Sequence, residues 1–323
     1  MSKIFMERHG YTFISNLGEG VFGKVVSAYS TKLRKRVAIK IIDRKKFTSV
    51  ALETFLRREM EIIKPLNHPN IVRTLDIFKW HTSKVYVVMD LCVKGDLLKH
   101  INAEGALPED SACRLFTQLC NAVQYLHKSD VAHRDLKCEN MLLDTHFNLR
   151  VCDFGFSKKL TYADGRMILS KTFCGTSSYA APEILRSLPY NPKVSDVWSM
   201  GVILFMMLFA SMPFDDTSIR RMSRMQIQHE INFPTIRSVS SDAKDLIHRI
   251  LHPVVEDRIT ISNIEQSSWM LQDMRLEDNE VATTSNASTE KEGRPDEKGK
   301  EEEKLSKANG EPLDGPSPAA ARH

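Results

Sequence analysis

Two short polar clusters, His133-Arg134-Asp135-Leu136-Lys137-Cys138-Glu139-Asn140 and Asp153-Phe154-Gly155, constrain this chain more than any other feature. Thirteen positions separate Asn140 from Asp153, and each polar residue has a use in moving a phosphoryl group. Asp135 can take the proton of an incoming hydroxyl if its carboxylate lies within hydrogen-bond reach. Lys137 offers a compact positive charge for a transferring phosphate. Asn140 and Asp153 supply hard oxygen ligands of the kind Mg²⁺ takes when it bridges nucleotide phosphates. For these side chains to cooperate, the fold must gather them around one triphosphate.

Residues 11 to 42 read as strands with a turn between them. Tyr11-Thr12-Phe13-Ile14 alternates, Gly18-Glu19-Gly20-Val21-Phe22-Gly23 interrupts, and Val25 to Tyr29 and Arg36 to Ile42 resume the pattern. A dinucleotide-binding turn shares the glycine spacing but opens a helix. Here a β-branched run follows, which favours a glycine-rich flap between two strands. Its backbone can close on phosphates because Gly18, Gly20 and Gly23 carry no Cβ. Lys40 ends the apolar run Val37-Ala38-Ile39. A lysine that holds phosphates must itself be oriented, and the helical stretch from Phe55 to Ile63 offers two carboxylates, Glu59 and Glu61. Val85 to Cys92 is a buried strand running into a connector. Glu109 to Ser129 is an amphipathic helix with Ala112, Leu115, Phe116, Leu119, Ala122, Val123 and Leu126 on one stripe. From Gly155 to Glu183 runs a polar segment, and one this long inside a compact domain is usually functional.

With 42 % hydrophobic residues in 323, the chain can bury a large core. Its six cysteines lie between Cys92 and Cys174, none in a C-x-x-C pair, so reduced thiols in the cytosol or nucleus are expected. The N-terminus has no apolar run of signal-peptide length. Val197 to Met212 falls short of the ~20 residues a membrane span needs and reads as a core helix. The net charge of +4 hides a split. Residues 277–323 carry 12 acidic and 7 basic side chains, leaving 38 basic and 29 acidic in the remainder. A body this mildly positive suits nucleotide phosphates without implying nucleic acid. Residues 286–315 are rich in Glu, Lys, Ser, Pro and Gly, and a disordered tail over 274–323 is expected.

The two clusters, the flap, Val37-Ala38-Ile39-Lys40 and the closing Ala181-Pro182-Glu183 together resemble the protein kinases. The resemblance implies an α+β, two-lobed kinase domain over residues 11–270. Its N-lobe, about 11–91, would be a small antiparallel sheet with one main helix, and its C-lobe, about 93–270, mainly helical. It implies ATP with Mg²⁺ held by Asn140 and Asp153. Leu17, Gly18, Glu19, Gly20, Val21 and Phe22 would cover the nucleotide, together with Gly23, Lys24 and Val25. Ala38 and Leu142 would sandwich adenine, Met89 would guard the pocket behind it, and the backbones of Asp90 and Cys92 would pair with its edge. Asp96 would reach the ribose, with a helix N-cap as its alternative role. Glu59 is the preferred partner of Lys40, because its stretch resembles the kinase segment before Leu66-Asn67-His68-Pro69-Asn70-Ile71.

Thr172 sits where the family carries an activating phosphate, with Arg134 as its dock, placed there by an upstream kinase or by autophosphorylation. Thr176 would bridge Asp135 and Lys137, Asp196 would anchor the catalytic loop, and Arg258 would pair with Glu183. More narrowly, Val37 to Lys46, Asp135 to Asn140, Ser170 to Gly175, Ser211 to Asp216 and Asn232-Phe233-Pro234 are similar to the testis-specific serine/threonine kinases of the CaMK group. This implies a monomeric cytoplasmic enzyme, or one in the nucleus or sperm structures, active in male germ-cell differentiation. Its substrates would be protein serines and threonines, with a basic residue ahead of the acceptor read by Glu139 and Asp96. Ser177, where many relatives have proline, and Met206, in place of a carboxylate, are departures. The sequence leaves three alternatives: a silent scaffold of the same fold, a CaMK-group kinase outside the narrower family, and tyrosine phosphorylation. The full catalytic set argues against the first, Lys137 and Thr176 against the last.

Overall fold

Period-two alternation builds the first layer. The computed structural model describes residues 2–20, 23–46, 50–80 and 84–271. Val21, Phe22, the side chain of Phe55 and the tail 274–323 lie outside the described residues. Helix α1 (Ser2–Arg8) precedes strands β1 (Tyr11–Gly20), β2 (Gly23–Ser30) and β3 (Lys35–Asp43). Helix α2 (Val50–Ile63) and strands β4 (Thr74–Trp80) and β5 (Lys84–Asp90) follow. The five strands form one antiparallel sheet in the order β1-β2-β3-β5-β4. On β3, Val37, Ile39 and Ile41 join Val26, Ala28, Tyr86 and Val88 in a layer on one face. The intervening Ala38 and Lys40 line the nucleotide-sized cleft described below.

Two features differ from the sequence pattern. Strand β1 does not stop at Ile14 but runs on to Gly20, which lies opposite Gly23. Irregularities at Phe13/Ser15 and Asn16/Gly18 absorb the extra residues. Gly23 is obligatory there, because a Cβ would lie 1.9 Å from the Ile41 carbonyl oxygen on β3. The second is α1, which the N-terminal residues did not announce. It buries Met6 and sets Phe5 and His9 against Phe78, with the His9 ring stacked at 4.5 Å.

Period-3.6 patterns build the second layer from α3 (Leu97–Glu104) and α4 (Glu109–Lys128). All seven residues of the α4 stripe are buried. Short strands β6 (Val131–Ala132), β7 (Met141–Leu143), β8 (Leu149–Val151) and β9 (Lys158–Lys159) come next. Helices α5 (Pro182–Leu185), α6 (Pro192–Phe209), α7 (Ile219–Gln228), α8 (Ser241–Ile250) and α9 (Ile261–Glu265) complete the lobe. Helix α6 is long and apolar enough to cross a membrane, but 83 % of it is buried inside the protein. Gly201 lets α8 approach it, since a Cβ there would meet Ile250 at 2.6 Å. The described residues belong to one unit spanning Met1–Glu277.

Glu109 ties the start of α4 to the end of the domain. Its carboxylate accepts from the Ser240 backbone and hydroxyl, both at 2.7 Å, and from Trp269 Nε1 at 3.0 Å. Burial alone would raise its pKa; the Ser240 and Trp269 bonds outweigh that and hold it below the ordinary 4.5. The stabilisation is therefore complete above the unfolded value and fades as pH falls through the lower folded one. Glu109→Gln is expected to cost about 1–2 kcal/mol at pH 7. In urea melts that gap between variant and wild type should narrow below pH ~4.5. A gap that is constant with pH would assign the loss to packing instead.

Candidate active site

The thirteen-residue separation between the two polar clusters is a hairpin. Strands β7 and β8 pair antiparallel with Met141 opposite Val151, and Cys152 N donates to Asn140 O at 2.9 Å. Asn140 and Asp153 thereby leave the same end of the hairpin. The loop ahead of β7 is held by Asp196 at the start of α6, which is 1 % exposed. Its carboxylate accepts from the backbone N–H groups of His133 at 2.9 Å and Arg134 at 2.8 Å. His127 Nε2 of α4 lies 2.9 Å from the same carboxylate. This clamp holds the left-handed Arg134 at φ 65°, while the left-handed Asp153 at φ 59° is held by Lys40. Each costs roughly 1–2 kcal/mol in a residue other than glycine.

Asp135 is the centre of a hydrogen-bonded set. Thr176 Oγ1 donates to Asp135 Oδ1 at 2.9 Å and accepts from Lys137 Nζ at 2.8 Å. Lys137 Nζ also lies 3.3 Å from Asp135 Oδ2. Asn140 Nδ2 donates to Asp135 O at 2.8 Å and to Oδ2 at 3.3 Å. With its amide nitrogen so engaged, Asn140 keeps its oxygen for another ligand. Thr176 can come this close because Gly175, at φ +91°, leaves room for the loop. A Cβ on Gly175 would lie 2.5 Å from Arg134 O and 3.4 Å from Asp135 Oδ1.

Lys40 reaches across from the sheet. Its Nζ meets Glu59 Oε1 at 2.9 Å and Asp153 Oδ1 at 3.0 Å. Burial works against the lysine's charge, but Glu59 and then Asp153 outweigh it and push the pKa above its ordinary value. Asp153 shows the reciprocal effect: burial raises its pKa, Lys40 more than compensates, and the result is lowered. Glu61 is not part of this set and lines a separate cavity between α2 and β4.

Above Asp153 opens a cleft of about 600 Å³, within the range of small-ligand sites. Leu17, Val25, Ala38, Met89 and Leu142 form its apolar walls. Asp90 and Cys92 line the connector side, just where the β5 ladder ends. Gly18 lies at the mouth, where a Cβ would meet nothing within 4 Å. Glu19, Gly20, Gly23 and Lys24 lie along the β1–β2 arm, outside the lining. Asp96 caps α3, accepting from Lys99 N at 2.9 Å and pairing with Lys99 Nζ at 2.8 Å. Burial raises the Cys92 thiol to about 11 and also raises Cys152, so neither is an activated nucleophile.

A second basic site lies below α2. Arg58, Arg134, Lys158 and Thr172 share the lining of a cavity of about 570 Å³. Sequence reading found Arg134 and Thr172 here but missed Arg58 and Lys158. The adjacency of Arg58 to Glu59 was the available signal for one. Nothing in the local pattern announced Lys158, which β9 brings in by pairing with Ala132.

Residues 11–270 match the protein kinase domain. Testis-specific serine/threonine-protein kinase 1 of Mus musculus is 53 % identical over 266 residues, covering 82 % of this chain and 73 % of the mouse protein. Testis-specific serine/threonine-protein kinase 3 of Mus musculus is 44 % identical, covering 82 % and 96 %. The corresponding kinase 4 of Homo sapiens is 40 % identical, covering 82 % and 84 %.

Proposed function

Because this chain belongs to the protein kinase family and, within it, to the testis-specific serine/threonine kinases, we propose that Asp135, Lys137 and Lys40 carry out its phosphoryl transfer under control of Thr172. The chain is a serine/threonine protein kinase, so ATP is the donor and protein hydroxyls the acceptors. The observation that carries the residue assignment is the convergence of Lys40, Glu59, Asp153 and Asn140 on one cleft, with Asn140 hydrogen-bonded to Asp135 outside its lining. Asp135 takes the acceptor hydroxyl's proton while Thr176 and Lys137 hold its carboxylate in one orientation. Lys137 faces the charge that builds on the transferring group, and Lys40, kept charged by Glu59, orients the phosphates.

The donor set also fits Mg²⁺, with the Asn140 oxygen and the Asp153 carboxylate as its protein ligands. When bound, the ion neutralises phosphate charge, and two protein oxygens plus phosphate oxygens are the usual complement. Incubation with Mg²⁺-ATP and an acceptor-peptide library should give phosphoserine and phosphothreonine without phosphotyrosine. Nucleotide binding without turnover would favour a silent scaffold. Glu139 and Asp96 both line the cleft, Asp96 beside the exposed Lys99. A preference for a basic residue ahead of the acceptor would rest on these two carboxylates.

The cavity below α2 supports regulation at Thr172. Burial lowers the Lys158 pKa, and the neighbouring Arg134 and Arg58 lower it further; with Lys159, four cations line the cavity against one carboxylate, Glu61. A phosphate on Thr172 would relieve that repulsion and add charge-assisted hydrogen bonds. Arg58 immediately precedes Glu59, so the same phosphate would draw α2 towards Lys40. Thr172→Ala is expected to lower kcat/KM about ten- to a hundredfold, measured on a peptide acceptor. Full retention would remove the switch. The relatives' names place them in the testis, and a role in sperm development is carried to this chain on that basis. Transcripts confined to male germ cells are expected; uniform expression across tissues would contradict it.

A further inference from the structure

The segment that carries Thr172 folds back on itself before it reaches that residue. Strands β10 (Tyr162–Ala163) and β11 (Arg166–Met167) pair antiparallel. They are joined by Asp164 and Gly165, both left-handed, at φ 49° and 73°. Two positive angles in succession make a tight hairpin whose twist matches its strands. Ile168 N donates to Thr161 O at 2.9 Å and closes the base. Asp130, in the turn between α4 and β6, holds this hairpin from outside the segment. Its Oδ1 accepts from Tyr162 Oη at 2.6 Å and from Lys193 Nζ at 3.2 Å. Its carbonyl oxygen accepts from Leu160 N at 2.7 Å. The Tyr162 hydroxyl, and then Lys193, lower the Asp130 pKa from the ordinary 3.8, so the acceptor is ionised at pH 7.

Lys193 lies in the first turn of α6, on the same helix face as Asp196, which clamps the catalytic loop. One helix end therefore fixes the loop that carries Asp135 and, through Asp130, the hairpin as well. Ahead of the hairpin, β9 places Lys158 in the Thr172 cavity. Beyond it, Ser170 exchanges backbone bonds with Tyr190 at 2.8 and 2.9 Å, and Tyr190 Oη donates to Thr172 O at 3.0 Å. Thr172 and the cations that face it are thus held from both directions by contacts that need no phosphate. We propose that Asp130 is a positioning residue which, through Tyr162 and Lys193, keeps the segment in its working arrangement before Thr172 is phosphorylated. The unmodified enzyme then retains part of its activity. Asp130 and Tyr162 are half-exposed, so the tether is weak and the stronger contacts of a phosphate supersede it. The rate effect rests on the Thr172 reading above; the tether itself does not.

The test compares the full chain with its Tyr162→Phe and Asp130→Gly variants, the glycine chosen because it accepts the φ of 53° at that position. In a Thr172→Ala background each should speed amide hydrogen exchange across residues 161–169 at least about tenfold. Each should also lower kcat/KM on a peptide acceptor by a further factor of about three to ten. Combining the two should add little to the larger single loss, because both break the same bond. Asp130 does not line the nucleotide cleft, so the KM for ATP should stay within about twofold. In the chain phosphorylated on Thr172 the same substitutions should change kcat/KM by less than about twofold. Equal losses with and without the phosphate would reduce Asp130 and Tyr162 to general supports and overturn the proposal. Unchanged exchange would overturn the tether. If Thr172→Ala alone leaves kcat/KM at the wild-type value, the Thr172 switch fails, and the exchange comparison still decides the tether.

Discussion

Asp135→Asn is expected to lower kcat by about a hundred- to ten-thousandfold, the range a positioned general base contributes. The substitution keeps the shape of the side chain and removes the charge that Lys137 approaches at 3.3 Å. Asp135 does not line the nucleotide cleft, so the KM for ATP should stay within about twofold, separating loss of chemistry from loss of binding. Thr176 would still find an oxygen to donate to, so the loop should keep its position and the melting temperature should barely move. A variant that keeps more than about a tenth of wild-type kcat would show that the proton leaves by another route.

Arg258→Met is expected to destabilise the domain by about 3–5 kcal/mol, the cost of stranding one member of a buried ion pair. Arg258 is 4 % exposed and grips Glu183 with both terminal nitrogens, at 2.8 and 3.0 Å. Its Nε donates to His252 O at 3.0 Å, Nη1 donates to Val194 O at 3.2 Å, and the guanidinium lies 5.0 Å from the Trp198 ring centre. Removing it leaves a buried carboxylate and two carbonyls without their partner. At ~2–4 °C per kcal/mol the melting temperature should fall by roughly 6–20 °C. Adding Glu183→Leu should recover part of the loss, because the stranded charge goes while the carbonyls stay unpaired. A single-variant shift under about 2 °C would mean that water reaches Glu183 and the pair is not a strut. Glu183 opens α5 at the end of the Gly155–Glu183 segment, so the damage should also appear as faster proteolysis there.

How much was legible depended on whether the signal was local. The α4 stripe could be read directly, because a 3.6-residue period of apolar side chains has one burial solution. The extension of β1 to Gly20 was not, since glycines read as a break until a partner strand runs alongside them. Helix α1 escaped because seven residues with one buried anchor, Met6, and one half-buried, Phe5, carry too little periodicity to stand out from a polar N-terminus. Glu59 and Glu61 are two residues apart on one helix, about 200° around it, and which of them faces Lys40 depends on how α2 lies on the sheet. Lys158 enters the Thr172 cavity through a two-residue strand whose pairing no local pattern encodes.

What the sequence determined alone was the chemical inventory: a base, metal-type oxygens, phosphate-facing cations and the periodicities that make a sheet beside a helical lobe. Spacing along a chain constrains residue types and short-range structure, because those interactions span only a few bonds. Only the tertiary structure decided which ends meet: Lys40 with Glu59 and Asp153, Asp135 with Thr176, and four cations around Thr172. Those contacts join residues up to 113 positions apart, and their geometry is set by packing of the whole core, which no stretch of chain contains by itself.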